Sequence, residues 1–141
     1  MVTGVQTCAL PIYTDSKDFR ARATKTLAAF AEQLTKTPTA LPQMLVALDA
    51  SLAVPREVVI AGARDDAATR ALLRETYAHF RPNTLLLLAD GGAGQAWLGE
   101  RLEYVKNKRP EQGKPTAYVC ENSVCQLPTS DVAKLRELLA K

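Results

Sequence analysis

Glu57-Val58-Val59-Ile60-Ala61 is a short apolar run rich in β-branched residues, bounded by Pro55 and Gly62. Thr84-Leu85-Leu86-Leu87-Leu88-Ala89 is a second such run, in which Thr84 alone is polar. Runs of this length and composition predict strands buried on both faces. Between them, Asp65 or Asp66 can cap a helix that continues to Phe80. Thr69, Leu72, Leu73, Thr76, Tyr77 and Phe80 recur at helical spacing as its expected inner face. Arg81-Pro82-Asn83 ends it. Strand, helix, strand is a βαβ unit, so the two strands are expected parallel, with a right-handed crossover.

Downstream, Asp90-Gly91-Gly92-Ala93-Gly94 leads into a helical stretch, Gln95 to Tyr104. Lys106 to Gly113 reads as a basic, solvated loop. Thr116 to Cys120 and Val124 to Leu127 read as two strands whose short link makes an antiparallel hairpin. Thr129 or Ser130 can cap a last helix, with Asp131 favourable in its first turn and Val132, Leu135, Leu138 and Leu139 facing the core. From Glu57 the fold class is therefore α/β, in the order βαβ-α-ββα. That is the order of the thioredoxin core, and Pro115-Thr116 stands where such folds place a cis proline; a Rossmann-like packing of the same elements is the alternative. A thioredoxin-type Cys-x-x-Cys would open the first helix. Ala63-Arg64-Asp65-Asp66 occupies that position, so ordinary dithiol chemistry is missing there.

Upstream, Thr14 to Lys36 reads as a helix capped by Thr14, Asp15 or Ser16, with Phe19, Ala23, Leu27, Phe30 and Leu34 as one apolar stripe. Thr37-Pro38-Thr39 breaks it. Leu41 to Leu52 is a second helix with Pro42 in its first turn and Met44, Leu45, Leu48 and Leu52 as its expected buried face. Together they predict a helical hairpin over 13–53, followed by an α/β domain over 54–141. Residues 1–12 carry no charge and neither helix nor strand period. Val2 to Ile12 resembles one reading frame of a sequencing-library adapter. On that reading Cys8 leaves the cysteine count, and the parent gene continues upstream.

The whole chain has 141 residues, 47% hydrophobic and 23% charged, which suits about one globular domain and argues against disorder. No apolar run approaches the roughly 18 residues of a membrane span. A net charge of +3, scattered along the chain, does not point to nucleic acid or to an anionic membrane.

Cys120 and Cys125 are the most informative chemical pair. With a two-residue loop at Asn122-Ser123, Glu121 faces Val124 and Cys120 faces Cys125, within disulfide reach. The functional reading is a redox-active or metal-binding pair. The structural reading, favoured here, is two reduced core thiols on one face with Tyr118 and Leu127. Two thiolates need two further ligands to hold a metal, so no metal site is assigned. Asp90, Gly91, Gly92 and Gly94 invite a phosphate-loop reading. Trp97 stands where the dinucleotide fingerprint needs a small residue, so a plain turn is preferred, Asp90 serves as a helix cap, and no cofactor is expected. His79 reads as a surface residue near a helix C-terminus, and Lys106, Lys108, Arg109 and Lys114 as solvated cations.

Several segments together carry a family likeness: Leu41-Pro42-Gln43-Met44-Leu45-Val46-Ala47-Leu48-Asp49, Val58-Val59-Ile60-Ala61-Gly62, Leu87-Leu88-Ala89-Asp90-Gly91-Gly92, Thr116-Ala117-Tyr118-Val119-Cys120-Glu121-Asn122 and Cys125-Gln126-Leu127-Pro128-Thr129. Residues 14–141 resemble the extreme C-terminus of the large thioredoxin domain-containing proteins, bacterial relatives of the spermatogenesis-associated thioredoxin-like protein. That family joins an N-terminal thioredoxin-like domain to an (α/α)6 barrel similar to six-hairpin glycosidases and N-acylglucosamine 2-epimerases. The resemblance implies that 13–53 ends the barrel, that the upstream barrel is the partner, and that the protein is cytoplasmic. It implies a redox or carbohydrate-processing role for the parent and a non-catalytic C-terminal portion here. The alternatives are an autonomous thiol redox module on Cys120 and Cys125, or a small anion-binding module at Gly91 to Gly94.

Overall fold

The computed structural model describes residues 16–121 and 124–140. The adapter-like segment with Cys8, the cap candidates Thr14 and Asp15, and the hairpin residues Asn122 and Ser123 lie outside the described residues. The chain divides into two compact units, Met1–Ala53 and Val54–Lys141.

In the first unit, the single helix expected to Lys36 is two: α1 (Lys17–Ala29) and α2 (Ala31–Lys36). Ser16 caps α1, its hydroxyl accepting from the Phe19 amide. Phe30, at φ −104° and ψ 8°, interrupts the helical backbone, so the stripe does not run on as one line. Leu34 is buried, Phe19, Ala23 and Leu27 are half-buried, and Phe30 is exposed. Pro38–Ala40 forms one 3-10 turn, and α3 (Pro42–Leu52) begins on its proline, whose missing N–H costs nothing there. Its buried residues are Met44 and Ala47, while Leu45 and Leu48 are half-buried and Leu52 is exposed. The buried face is centred on Met44 and Ala47, and Leu52 projects away from it.

The second unit is built on β1 (Arg56–Ala61), α4 (Ala67–Tyr77), β2 (Thr84–Ala89), α5 (Ala93–Gly99), α6 (Glu103–Lys106), β3 (Thr116–Glu121), β4 (Val124–Cys125) and α7 (Val132–Leu139). The sheet order is β2-β1-β3-β4, with β1 parallel to β2 and antiparallel to β3. An antiparallel β3 beside β1 is the thioredoxin order. It displaces the Rossmann-like alternative, in which the corresponding strands run parallel. No peptide bond among the described residues is cis, so Pro115 enters β3 in trans.

One face of the sheet carries Val58, Ile60, Ala117 and Val119. They pack with Leu72 of α4 and Leu135, Leu138 and Leu139 of α7, and Val132 lies against the same cluster. The other face carries Val59, Ala61, Leu87, Tyr118 and Cys120, on the side of α5 and α6, where Leu102 and Val105 are buried.

Caps and ends differ from the sequence expectation in three places. Asp66 caps α4, but the Ala78 amide donates to the Glu75 carbonyl and closes the helix at Tyr77. Tyr77 and Phe80 are therefore 74% and 92% exposed rather than part of the inner face, and Glu75 takes the buried position. Asp131 caps α7, accepting from the Ala133 and Lys134 amides, while Thr129 accepts from the Asp131 amide one step earlier. The stretch after Gly94 is two short helices because Gly99 packs against the Lys106 backbone, which a continuous helix could not reach.

Candidate functional site

The two ends of the sheet hold the two sets of candidate residues. At the end where β1 and β2 finish, Gly62 follows β1 and Asp90 follows β2. A Cβ on Gly62 would lie 2.3 Å from Thr69 Oγ1 and 3.0 Å from Pro115 Cβ, so strand, helix and loop close tightly where a thioredoxin dithiol would stand. Asp90 accepts from the Gly92 amide at 2.9 Å, forming an Asx turn. Asp90 therefore caps the turn; the residue at the cap of α5 is Gly92. Gly91 turns at φ +79°, a conformation that suits glycine, and its amide donates to Gln95 Oε1 at 2.7 Å.

Gln95 is the residue that sequence reasoning missed here. It is buried, and its Nε2 donates to the carbonyls of Val105 at 3.1 Å and Lys108 at 3.0 Å. One amide thus ties the glycine turn to the loop after α6. Two of the turn amides that an anion would need are engaged internally. Trp97, the residue that spoils the dinucleotide fingerprint, points outward, half exposed, with the Arg101 guanidinium 4.0 Å from its ring centre. A shallow groove of about 320 Å³ runs past Gly91, Gln95, Gly99, Glu100, Lys106 and Arg109. Gly94 lies exposed outside its lining.

At the opposite end, β3 and β4 pair in the register expected from the two-residue loop, Cys120 with Cys125 and Glu121 with Val124. The Gln126 amide donates to the Val119 carbonyl, so Cys120 and Cys125 form the adjoining non-hydrogen-bonded pair. They are joined as a disulfide. This corrects the expectation of reduced core thiols. The environments are unlike: Cys120 is 1% exposed, whereas Cys125 is exposed on the edge strand and Leu127 lies beyond it, 89% exposed. The two-residue strand ends before Leu127, so that side chain never reaches the inner face.

The basic loop is also held more firmly than its composition suggests. Lys108 Nζ sits 4.4 Å from the centre of the Tyr118 ring and 3.8 Å from Cys125 Sγ. The Tyr118 hydroxyl donates to the Arg109 carbonyl at 2.7 Å. Burial, reinforced by Glu111, holds the Tyr118 phenol above its ordinary pKa, so it stays neutral. Glu111 to Lys114 forms a tight turn through Gln112 and Gly113, both at positive φ.

Away from both ends, the buried Glu75 accepts a two-pronged bond from Arg136 at 2.9 and 2.8 Å. That bond, with Arg136, His79 and Arg81 nearby, holds the Glu75 carboxyl below its ordinary pKa against the opposing effect of burial. His79 is exposed, as expected.

No protein-family model matches the chain, and no solved structure matches it. It is similar to spermatogenesis-associated protein 20 from Homo sapiens, 36% identical over 127 residues. The proteins of that name from Rattus norvegicus and Mus musculus are 35% and 33% identical. These alignments cover 89–90% of this chain but 16% of each relative. The chain is thus homologous to one stretch, about a sixth of the length, of spermatogenesis-associated protein 20.

Proposed function

We propose that the chain, as a homologue of one stretch of a much longer thioredoxin-domain-containing protein, is a non-catalytic portion of such a protein in the cytoplasm. In this reading the α/β unit is a scaffold, and the helical unit ends an (α/α)6-type barrel whose upstream part is its partner. The redox or carbohydrate-processing chemistry then resides in the rest of the polypeptide. The observation that carries the reading is Gly62-Ala63-Arg64-Asp65-Asp66: a thioredoxin-order sheet with no cysteine between β1 and α4. The closed Asx turn at Asp90 and the engaged Gly91 amide support it from the neighbouring loop.

The test is catalytic turnover by the whole chain, with dithiothreitol as reductant and a protein disulfide as substrate. The expected rate equals that of the reductant alone. Turnover that disappears in Cys120→Ser would overturn the proposal in favour of an autonomous thiol redox module. A rise in melting temperature with a sugar phosphate or a nucleotide would favour the small anion-binding module at Gly91 to Gly94.

A further inference from the structure

We infer that the Cys120–Cys125 disulfide is a stoichiometric thiol-exchange site for low-molecular-weight thiols, with Cys125 as the sulfur attacked and Lys108 as the cation that stabilises its thiolate. The site lies at the opposite end of the sheet from Gly62, so it is not a displaced thioredoxin centre. Exchange without turnover is also consistent with the scaffold reading above.

Three observations converge. The first is access. Cys125 is exposed on β4, the two-residue edge strand, while Cys120 is buried in β3. An incoming thiolate can reach only the outer sulfur in line. The second is charge. Lys108 Nζ stands 3.8 Å from Cys125 Sγ, and a nearby ammonium lowers a thiol pKa. Tyr118, the ring that holds Lys108 in place, is a neutral phenol, and Glu111 lies 3.3 Å from its hydroxyl. Cys120 is the register partner of Glu57 on β1, on the same side of the sheet, and among the described residues no cation hydrogen-bonds to its sulfur. The third is positioning. The Gln95 and Tyr118 hydrogen bonds pin the backbone of Lys108 and Arg109, and the Tyr118 ring under the Lys108 ammonium places it beside the sulfur.

The chemistry balances as two exchanges. A thiolate RS⁻ attacks Cys125 Sγ, the S–S bond breaks, and the electron pair leaves on Cys120 Sγ, which takes up a proton. Cys125 then carries R as a mixed disulfide. A second RS⁻ attacks the sulfur of R, releasing RSSR and leaving Cys125 as a thiolate beside Lys108. Two thiols are oxidised and one protein disulfide is reduced. In a reducing compartment, the disulfides that form are typically transient or redox-sensing, which is the behaviour this asymmetry serves.

The test uses the full chain and reduced glutathione, with acid quenching and peptide mass mapping. The expected adduct is glutathione on Cys125, accumulating to a higher level in Cys120→Ser after reaction with oxidised glutathione. An adduct on Cys120, or none on Cys120 or Cys125 whatever happens at Cys8, would overturn the assignment. A second measurement isolates Lys108: alkylation of Cys125 in the reduced protein against pH. Lys108→Met should slow the reaction at pH 7 by about threefold to tenfold and move its midpoint to higher pH, while Lys108→Arg restores both. An identical pH profile in Lys108→Met would remove the role of that cation.

Discussion

The two faces of the sheet are held by different physics. The face under α4 and α7 is an aliphatic cluster in which Ile60, Val58, Leu72 and Leu135 are fully buried. Its cohesion comes from removing apolar surface from water. The face under α5 and α6 is also buried, but its loops are fastened by single polar side chains: Gln95, Tyr118 and Thr116. Aliphatic packing is strong and non-directional, so it fixes helices on a sheet. Directional bonds hold irregular backbone, which must satisfy its own N–H and C=O groups. The candidate chemistry lies on the second face, where loops beside α5 and α6 approach the strands.

The largest expected effect is on the aliphatic face. Leu135→Ala should destabilise the protein by about 2–5 kcal/mol, because it leaves a cavity at a site with no exposure. Urea unfolding followed by circular dichroism measures this, and a loss below about 1 kcal/mol would show that α7 contributes little to the core.

A smaller effect, of a different kind, is expected on the polar face. Gln95→Ala should cost about 2–3 kcal/mol, since three backbone groups lose a partner. Its signature is local: hydrogen exchange should accelerate at Gly91 and around 105–108, with β1 and β3 unchanged. Uniform acceleration across the sheet would mean that the two faces are not separately held.

The subtlest contrast is in pH. Glu75 is held ionised below its ordinary pKa by Arg136, so its contribution is present above the unfolded value of about 4.3 and is lost as pH falls through the lower folded value. Melting temperature should therefore fall more steeply below about pH 4.5 in the wild type than in Glu75→Gln. Parallel curves for the two proteins would assign the acid sensitivity to other carboxylates.

Much of this architecture is local and was legible. Val58 to Ala61 is buried on both faces as its unbroken apolar run predicts, and Asp66 marks the start of α4. Leu85 to Ala89 forms the expected strand, but at the sheet edge its residues alternate between buried and half-buried. The Cys120 and Cys125 pairing followed from loop length alone. Helix ends were harder. Tyr77 and Phe80 continue a plausible stripe, and nothing in that stripe reports that the backbone turns at Ala78. Gln95 carried a weak signal, a polar residue just after a glycine turn, but its three partners lie on the glycine turn, on α6 and on the loop after it.

By itself, the sequence determined the order of strands and helices, the hairpin register and the absence of a dithiol at the start of α4. Periodicity, turn residues and residue identity act over a few positions and survive in any tertiary context. Only the folded chain decided that β3 runs antiparallel beside β1, that the two cysteines are bonded with one inside and one out, and that Lys108 stands at the outer sulfur. The same holds for Glu75 and Arg136, 61 positions apart. Such contacts are chosen by how distant segments pack, and the energy that selects them exists only once the core has brought them together.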